Sequence, residues 1–188
     1  MSKPKVHIVG RDNGFAEFYR ENGFDVTGDV FKADLFQFTG GEDVTPEIYG
    51  QANTASYNNL DRDLYEAGYF ALARRLDKPM VGVCRGGQFL NVMCGGWMDQ
   101  DVPGHTRDHK IITATGSLMA TSTHHQMMRP GAGANLLAWT GIVGEFDTEV
   151  VFYEHYRCLC FQPHPEYRRF PELEKYYFGL IHNLLLNR

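Results

Sequence analysis

Short apolar runs typical of strands recur along this chain. Several of the segments between them have apolar residues at the spacing of a helix. Residues 6–9 predict a first strand, and residues 24–27 and 34–39 predict two more. Phe15, Phe18 and Tyr19 recur at the i, i+3, i+4 spacing of an amphipathic helix over residues 13–21. Strands and helices that alternate at this spacing predict βαβ units, and therefore a mostly parallel sheet of the α/β class.

The pattern continues beyond residue 60. Residues 61–76 predict a helix, whose apolar face carries Leu64, Ala67, Gly68, Ala71 and Leu72. Pro79 cannot continue that helix, and an apolar strand follows it up to residue 83, before a further helix over residues 88–93. The remaining predicted elements are a hairpin of residues 111–115 and 118–121 across Gly116 and Ser117, strands at 136–140, 150–154 and 157–162, and a closing helix at 173–186.

Length and composition are those of an ordinary globular domain. The 188 residues carry 43% hydrophobic and 22% charged side chains, which predicts one domain over residues 1–188 with a sizeable core. The net charge of −5 and the lack of a basic run argue against nucleic acid as a main partner. No apolar run approaches the roughly 20 residues of a membrane span, and no signal-peptide core precedes the first strand. We expect no membrane association and a cytoplasmic location.

Cys84 is the first candidate for chemistry. It lies between the strand ending at residue 83 and the glycine pair Gly86–Gly87, so the next helix directs its N-terminus at the sulfur. Unpaired N–H groups and the helix dipole favour a thiolate there, which makes Cys84 a candidate nucleophile. The alternative is a small buried hydrophobic residue. Cys158 and Cys160 alternate within a strand, so they share a face, and we expect them to be plain strand residues.

His164 and Glu166 are the candidate base and its orienting acceptor. They follow an apolar strand, so they belong at the carboxyl edge of the sheet, where open α/β sheets bind ligands. Two residues apart in an extended segment, they point the same way, and the carboxylate reaches the ring. A surface histidine near a glutamate is the alternative.

An acyl-transfer site also needs donors for an oxyanion. The backbone N–H of Arg85 follows the nucleophile directly, and a second N–H is available in the Gly40–Gly41 pair, at Gly41. Glycines permit close approach of a backbone to a ligand, although an ordinary turn would also explain them. The pair opens a long polar loop over residues 40–59, a length that is usually functional or mobile.

Together these pieces resemble the class I glutamine amidotransferase superfamily over nearly the whole chain. Residues 84–88, Cys-Arg-Gly-Gly-Gln, are similar to its C-x-G-x-Q nucleophile elbow, and residues 162–166, Gln-Pro-His-Pro-Glu, to its base motif. Residues 39–50, 61–63, 91–96, 100–101 and 122–126 resemble its branch of γ-glutamyl-γ-aminobutyrate hydrolase-like proteins.

The resemblance implies a flavodoxin-like three-layer fold and a Cys84–His164–Glu166 triad. Cys84 would attack the δ-carbonyl of a γ-glutamyl group, and water would release glutamate from the thioester. The implied substrate-binding residues are Gly40, Gln88, Ser122, Thr123 and His124. No cofactor is implied. The chain departs from the branch in being shorter than its hydrolases, in the extra Gly87 after the C-x-G, and in Thr121, where the hydrolases often have Asn.

Three functions remain open at this point. The size favours a glutaminase that supplies ammonia to a partner synthetase. The 43–46 and 124–126 segments favour a stand-alone hydrolase of γ-glutamyl amines or peptides, and a non-catalytic relative is the third possibility. The histidines at 105, 109, 124 and 125 match no zinc spacing, and no acidic residue or cysteine is seen to complete a set, so we expect no metal.

Overall fold

The predicted strands assemble into one large central sheet in the computed structural model, which describes residues 2–187. In chain order the strands are β1 (Lys5–Val9), β2 (Asp25–Val26), β3 (Leu35–Phe38), β4 (Met80–Val83), β5 (Trp97–Asp99), β6 (His109–Thr113), β7 (Gly116–Ala120), β8 (Met127–Arg129), β9 (Ala134–Thr140), β10 (Asp147–Tyr153) and β11 (Cys158–Phe161). The helices are α1 (Phe15–Glu21), α2 (Leu60–Arg75), α3 (Arg85–Met93) and α4 (Pro171–Leu180), which continues as a π-helical segment, Ile181–Leu186.

The central sheet has a parallel half and an antiparallel half. In the described residues its order is β2-β1-β3-β4-β11-β10-β9-β6-β7. Neighbouring strands of the first five, β2-β1-β3-β4-β11, pair in parallel. From β11 onwards, through β10, β9, β6 and β7, every neighbouring pair is antiparallel. The predicted α/β class and the flavodoxin-like, mostly parallel core are confirmed.

Helices cover both faces of the parallel half, and each face has its own core. Alternate residues of a strand point to opposite faces, so Leu159 and Phe161 pack with α1 and α4. Cys158 and Cys160 pack on the other face, with α2 and α3. The prediction that these two cysteines share a strand face is confirmed.

The predicted apolar face of α2 is wrong. Leu64 is 61% exposed, whereas the buried positions include Asp63, Glu66 and Phe70. The two carboxylates are buried because they form ion pairs with arginines, and such pairing overrides the apolar periodicity that the sequence displays.

Three further details differ from the sequence expectations. The predicted hairpin forms, but Thr113 pairs with Gly116, so its turn lies at residues 114–115 rather than at Gly116–Ser117. The short strands β5 and β8 pair in a second, two-stranded sheet that no pattern indicated. Helix α3 begins at residue 85, directly after Cys84, and not at residue 88.

The polar loop of residues 40–59 is held to the rest of the domain. The side chain of Gln100 accepts a hydrogen bond from the Thr54 N–H at 2.8 Å and donates one to the Ala52 carbonyl at 2.7 Å. Asp43 and Asn58 form an isolated β-bridge across the loop. Among residues 2–187, no helix has both the length and the apolar composition that a membrane span requires.

Candidate active site

Three adjacent parallel strands deliver the predicted catalytic groups to one edge of the sheet. Strands β3, β4 and β11 lead into Gly40, Cys84 and His164 respectively. Neighbouring parallel strands end at the same edge of a sheet, so the three residues meet there. Gly40 lies close to the other two. A Cβ atom built on Gly40 would stand 3.5 Å from His164 Cε1 and 3.7 Å from Cys84 Cβ. The structure therefore brings the glycine loop, the cysteine and the histidine together.

Cys84 sits on a strained turn between β4 and α3. Its φ of 51° and ψ of −117° form a conformation that L-residues rarely adopt. The flanking glycines make the turn possible. A Cβ on Gly82 would overlap the Gly86 backbone, and one on Gly86 would overlap the Phe38 carbonyl. Helix α3 thus packs directly on the sheet and presents the sulfur at its N-terminus, as in a nucleophile elbow.

Gly87, the additional glycine of the elbow, is also required by close packing of α3 on the sheet. A Cβ on Gly87 would lie 2.8 Å from the Phe161 backbone nitrogen, closer than side chains approach. The first turn of α3 therefore contacts the backbone of β11 as well as that of β3 and β4. This close packing explains why residue 87 cannot carry a bulkier side chain here.

His164 and Glu166 form the predicted pair, but the expected extended segment is wrong: residues Pro165–Tyr167 form a 3₁₀ helix, and Glu166 reaches the ring from this turn. His164 Nδ1 donates to Glu166 Oε1 at 2.7 Å, and both side chains are almost fully buried. Burial acts to lower the pKa of His164, but the negative charge of Cys84, the hydrogen bond to its sulfur and the Glu166 carboxylate raise that pKa to about 11. The raised pKa favours the imidazolium form of His164 beside the Cys84 sulfur. The ring of Tyr167 stacks on the imidazole with centroids 4.5 Å apart, a contact that the sequence did not indicate.

The glycine loop is oriented by an arginine of α2. Arg62 Nη2 donates to the carbonyl oxygens of Thr39 at 3.0 Å and of Gly40 at 2.9 Å. In a trans peptide the N–H points away from the carbonyl, so the N–H of Gly41 is directed opposite to Arg62. Gly41 has φ +140° and leaves no room for a Cβ, which would overlap Arg62 Nη1.

A buried network of charges ties this loop to the elbow. The Arg85 guanidinium is 1% exposed and pairs with both Asp63 and Glu66. Glu66 also accepts from Arg62 Nε at 2.8 Å, and Asp63 accepts from the Thr45 N–H at 2.9 Å. The Arg85 side chain thus pairs with carboxylates of α2. The backbone N–H of Arg85 is the group of this residue that is available to an oxyanion.

A cavity of about 470 Å³ opens in front of Cys84 and His164. Of the predicted substrate-binding residues, Gln88, Thr123 and His124 line it. Gln88 Nε2 donates to Gln162 Oε1 at 3.1 Å, and the Thr123 hydroxyl lies 3.1 Å from His164 Nε2. Ser122 does not turn its side chain to the cavity, because its hydroxyl donates to the His105 carbonyl.

The cavity wall also contains His125, together with Asp43 and Tyr57, which sequence reasoning did not assign. His125 lies opposite Asp43, with Nε2 3.3 Å from the carboxylate, and both line the cavity together with Tyr57. The signal was present, since both residues fall in segments that carried the family resemblance. They place an imidazole and a carboxylate at the wall of the cavity that holds the nucleophile, which suits a substrate with both acidic and basic groups.

The other three cysteines are unsuited to nucleophilic chemistry. Cys94, Cys158 and Cys160 are free and buried, whereas Cys84 is half-buried at the cavity. Burial raises the pKa of the Cys158 and Cys160 thiols well above its ordinary value. Cys84 is therefore the thiol that the cavity and the helix N-terminus both favour.

One premise of the sequence reasoning fails. His105, His109 and His124 do have an acidic partner, Glu149, which reaches them from β10. Glu149 lies well over 20 residues from each of the three histidines in the sequence, so no local spacing could reveal the group.

Comparisons with known proteins agree with this geometry. The sequence profile of the Peptidase C26 family matches residues 25–151, more than half of the chain. This range contains Cys84 and ends before His164, so the assignment of the base rests on the strand order and on the 2.7 Å contact with Glu166.

Most of the relatives found are named glutamine amidotransferases or glutamine amidotransferase-like proteins. The protein provisionally named glutamine amidotransferase-like protein YvdE of Lactococcus lactis subsp. lactis is 32% identical over 120 residues, which cover 63% of this chain and 50% of YvdE. The chain thus spans about half the length of that curated relative.

Two solved structures share the fold. One is provisionally described as a GMP synthase component from Thermoplasma acidophilum; it has a TM-score of 0.67 at 16% identity and covers 96% of this chain and 98% of its own. A glutamine amidotransferase from Thermotoga maritima has a TM-score of 0.63 at 11% identity and covers 96% and 84%. With the fold, the elbow and the profile match in agreement, the chain belongs to the Peptidase C26 family, within the class I glutamine amidotransferase superfamily.

Proposed function

We propose that this chain is a glutaminase, which hydrolyses the side-chain amide of glutamine through a γ-glutamyl thioester on Cys84 and delivers ammonia to a partner synthetase. The observation that carries the proposal is the His164–Glu166 contact of 2.7 Å beside a cysteine on a strained elbow. A nucleophile, a base and an orienting carboxylate in this arrangement are the parts that acyl transfer requires.

The first half of the reaction forms the thioester. The Cys84 thiolate attacks the δ-carbonyl carbon, and the carbonyl electrons move onto oxygen. The N–H groups of Gly41 and Arg85 stabilise that oxyanion. His164 then gives its Nε2 proton to the leaving nitrogen, the C–N bond breaks, and ammonia departs.

The second half releases glutamate. His164, now neutral, takes a proton from water as the water oxygen attacks the thioester carbonyl. The C–S bond breaks, and the Cys84 thiolate and the His164 imidazolium are restored. Glu166 holds the imidazole in register throughout, because Nδ1 remains its hydrogen-bond donor.

The glutamyl group is held by the cavity wall. Gln88 and Thr123 supply polar side chains, while Gly40 and the backbone of residues 122–124 allow close approach. The imidazole of His125 and the carboxylate of Asp43 supply contacts for the α-carboxylate and α-ammonium groups of the substrate. The partner is proposed on the likeness in size and fold to the Thermoplasma acidophilum protein, which is described as one component of a synthase.

A second candidate is a stand-alone hydrolase of γ-glutamyl amines or peptides. The match to a family described as a peptidase favours it, since a peptidase releases an amine larger than ammonia. The chemistry at Cys84 is the same, and only the leaving group and the need for a partner differ.

The test is release of ammonia or amine by the isolated chain, with glutamine compared against γ-glutamyl amines. Negligible activity on both, together with labelling of Cys84 by a glutamine-like electrophile, favours the partner-dependent glutaminase. Fast turnover with preference for a substituted amine favours the hydrolase. Cys84→Ala should abolish turnover and labelling with an unchanged circular dichroism spectrum, and Cys94→Ala serves as the control. Labelling at another cysteine of the native protein contradicts the mechanism, and a Cys84 that reacts with no such electrophile indicates a non-catalytic relative.

A further inference from the structure

A second cluster of chemically capable side chains lies next to the candidate active site. His105 comes from the loop before β6, His109 from β6 itself, His124 from the segment after β7, and Glu149 from β10. One ligating atom from each residue lies within 4.8 Å of all the others. Four separate parts of the chain therefore converge on one point.

The cluster is buried, and four of its polar atoms have no hydrogen-bond partner within residues 2–187. His105 and Glu149 are fully buried, and the side chain of His124 is 2% exposed. Both ring nitrogens of His105, Nε2 of His124 and Oε2 of Glu149 have no hydrogen-bond partner among the described residues. Because a buried polar atom without a partner is costly, four such atoms on three residues of the cluster indicate a polar partner that the protein side chains do not provide.

The surroundings direct the free nitrogens inward. His109 Nδ1 lies 3.0 Å from the Arg107 carbonyl oxygen, and His124 Nδ1 lies 2.8 Å from that of Gln126. A carbonyl oxygen only accepts, so each Nδ1 donates to its carbonyl and each Nε2 is the ring nitrogen left to face the cluster, where that of His109 contacts Glu149 Oε1 at 2.9 Å. This is the outer-shell arrangement of histidines that ligate metals.

The third histidine fits the same pattern. His105 Nε2 lies 3.4 Å from Asp147 Oδ2, which leaves Nδ1 directed towards Glu149 Oε1 at 3.5 Å. The Nε2 atoms of His109 and His124 lie 2.9 Å and 3.8 Å from the same carboxylate oxygen. Adjacent ligands of a tetrahedral zinc ion are about 3.3 Å apart, so these separations need only small adjustments.

We propose that His105, His109, His124 and Glu149 bind one Zn²⁺ ion in a closed, four-coordinate site. Three imidazoles and a carboxylate suit zinc better than a hard cation such as Mg²⁺, which prefers oxygen ligands, or Cu(I), which prefers thiolates. The carboxylates of Glu149 and Asp147 together balance the two charges of the ion. Since the protein fills all four positions, the ion is structural and carries no catalytic water.

The site would support the wall of the catalytic cavity. His124 lines that cavity, and its neighbour Thr123 places a hydroxyl 3.1 Å from His164 Nε2. The zinc would fix the 122–126 segment to β6 and β10, in the antiparallel half of the sheet. Zinc binding there does not depend on which γ-glutamyl substrate the cavity accepts.

The first experiment measures metal content by mass spectrometry on the untagged full chain, expressed with zinc in the medium. We expect about one zinc per chain in the wild type and in Cys84→Ala, which excludes binding at the catalytic thiol. Glu149→Gln and His109→Asn should lose the metal. His155→Gln, which removes an exposed histidine outside the cluster, should keep it.

A second measurement uses the wild-type chain and so does not depend on whether a variant folds. Removal of zinc by a chelator should lower the melting temperature, and re-addition should restore it. Co²⁺ in place of zinc should give the intense visible spectrum of a tetrahedral site. Asp147→Asn should weaken zinc binding by about 10–100-fold, as loss of an outer-shell acceptor does.

Two results would overturn the proposal. One is a wild-type chain without zinc above background, whose melting temperature does not respond to added Zn²⁺; the cluster would then be a hydrogen-bonded group of histidines around Glu149. The other is a zinc content that is unchanged in both Glu149→Gln and His109→Asn, which would place the ion elsewhere.

Discussion

Replacing Gly41 by alanine is the sharpest perturbation of the proposed oxyanion site. The new Cβ would overlap Arg62 Nη1, and the backbone at φ +140° disfavours any L-residue. Arg62 would have to move, and with it the Thr39 and Gly40 carbonyls that it holds at 3.0 and 2.9 Å. The perturbation thus rotates the peptide whose N–H is proposed to face the oxyanion.

The structure offers a matched control for the backbone strain. Gly116 also has φ +140°, but nothing lies within 4 Å of its Cβ position. Both alanine variants should lose about 1–3 kcal/mol from backbone strain. Gly41→Ala should lose roughly 2–3 kcal/mol more, because hydrogen bonds to a charged donor contribute about 1.5–3 kcal/mol each. Urea unfolding of both variants measures this difference.

Activity separates the oxyanion role from general damage. With the γ-glutamyl substrate that the wild type turns over fastest, Gly41→Ala should lower kcat by about 10²–10³-fold, the usual effect of losing one oxyanion donor. Gly116→Ala should leave kcat unchanged. Alkylation of Cys84 by iodoacetamide involves no oxyanion, so its rate should be similar in all three proteins. A Gly41→Ala variant that folds and hydrolyses substrate as fast as Gly116→Ala refutes the assignment.

Three other changes probe the base, the elbow and the buried charges. Glu166→Gln removes the carboxylate that helps to raise the pKa of His164 to about 11, so this pKa should fall and the alkaline limb of the pH–activity profile should move to lower pH; an unmoved limb contradicts the pairing. Because folding raises the pKa of His164, its protonation stabilises the fold fully below the unfolded pKa of about 6.5, and this stabilisation is lost as the pH rises towards 11. Melting temperatures measured from pH 7 to 10 should therefore decline less in Glu166→Gln than in the wild type. Gly86→Ala should destabilise the fold by about 3 kcal/mol or more, because its Cβ meets the backbone of β3, while the open helical site Gly68→Ala should gain about 0.5–1 kcal/mol in denaturant unfolding. Arg85→Met removes the cation that pairs with buried Asp63 and leaves Glu66 with Arg62 alone, which should cost about 3–5 kcal/mol by the same measurement; a loss below about 1 kcal/mol would contradict the network.

Local patterns in the sequence determined much of the candidate site. An apolar strand that runs into Cys84 and glycines predicts a strand-to-helix elbow, and the structure has one. The His164–Glu166 contact was predicted, but for the wrong reason, because residues Pro165–Tyr167 form a 3₁₀ helix and Glu166 reaches the ring from that turn rather than from an extended segment. The convergence of β3, β4 and β11 also followed from the sequence, since parallel strands of a βαβ fold end at the same edge.

Only the tertiary structure decided the features that depend on distant partners. The buried face of α2 is set by Arg85 and Arg62, whose pairing with Asp63 and Glu66 overrides apolar periodicity. The pairing of β5 with β8 joins three-residue strands that are too short to carry a pattern. The group formed by Glu149 and three histidines depends on how the antiparallel half of the sheet folds over the 122–126 segment. Sequence periodicity reports which side of an element is apolar, whereas the positions of buried charges and ligating atoms depend on contacts between elements, and those exist only in the folded chain.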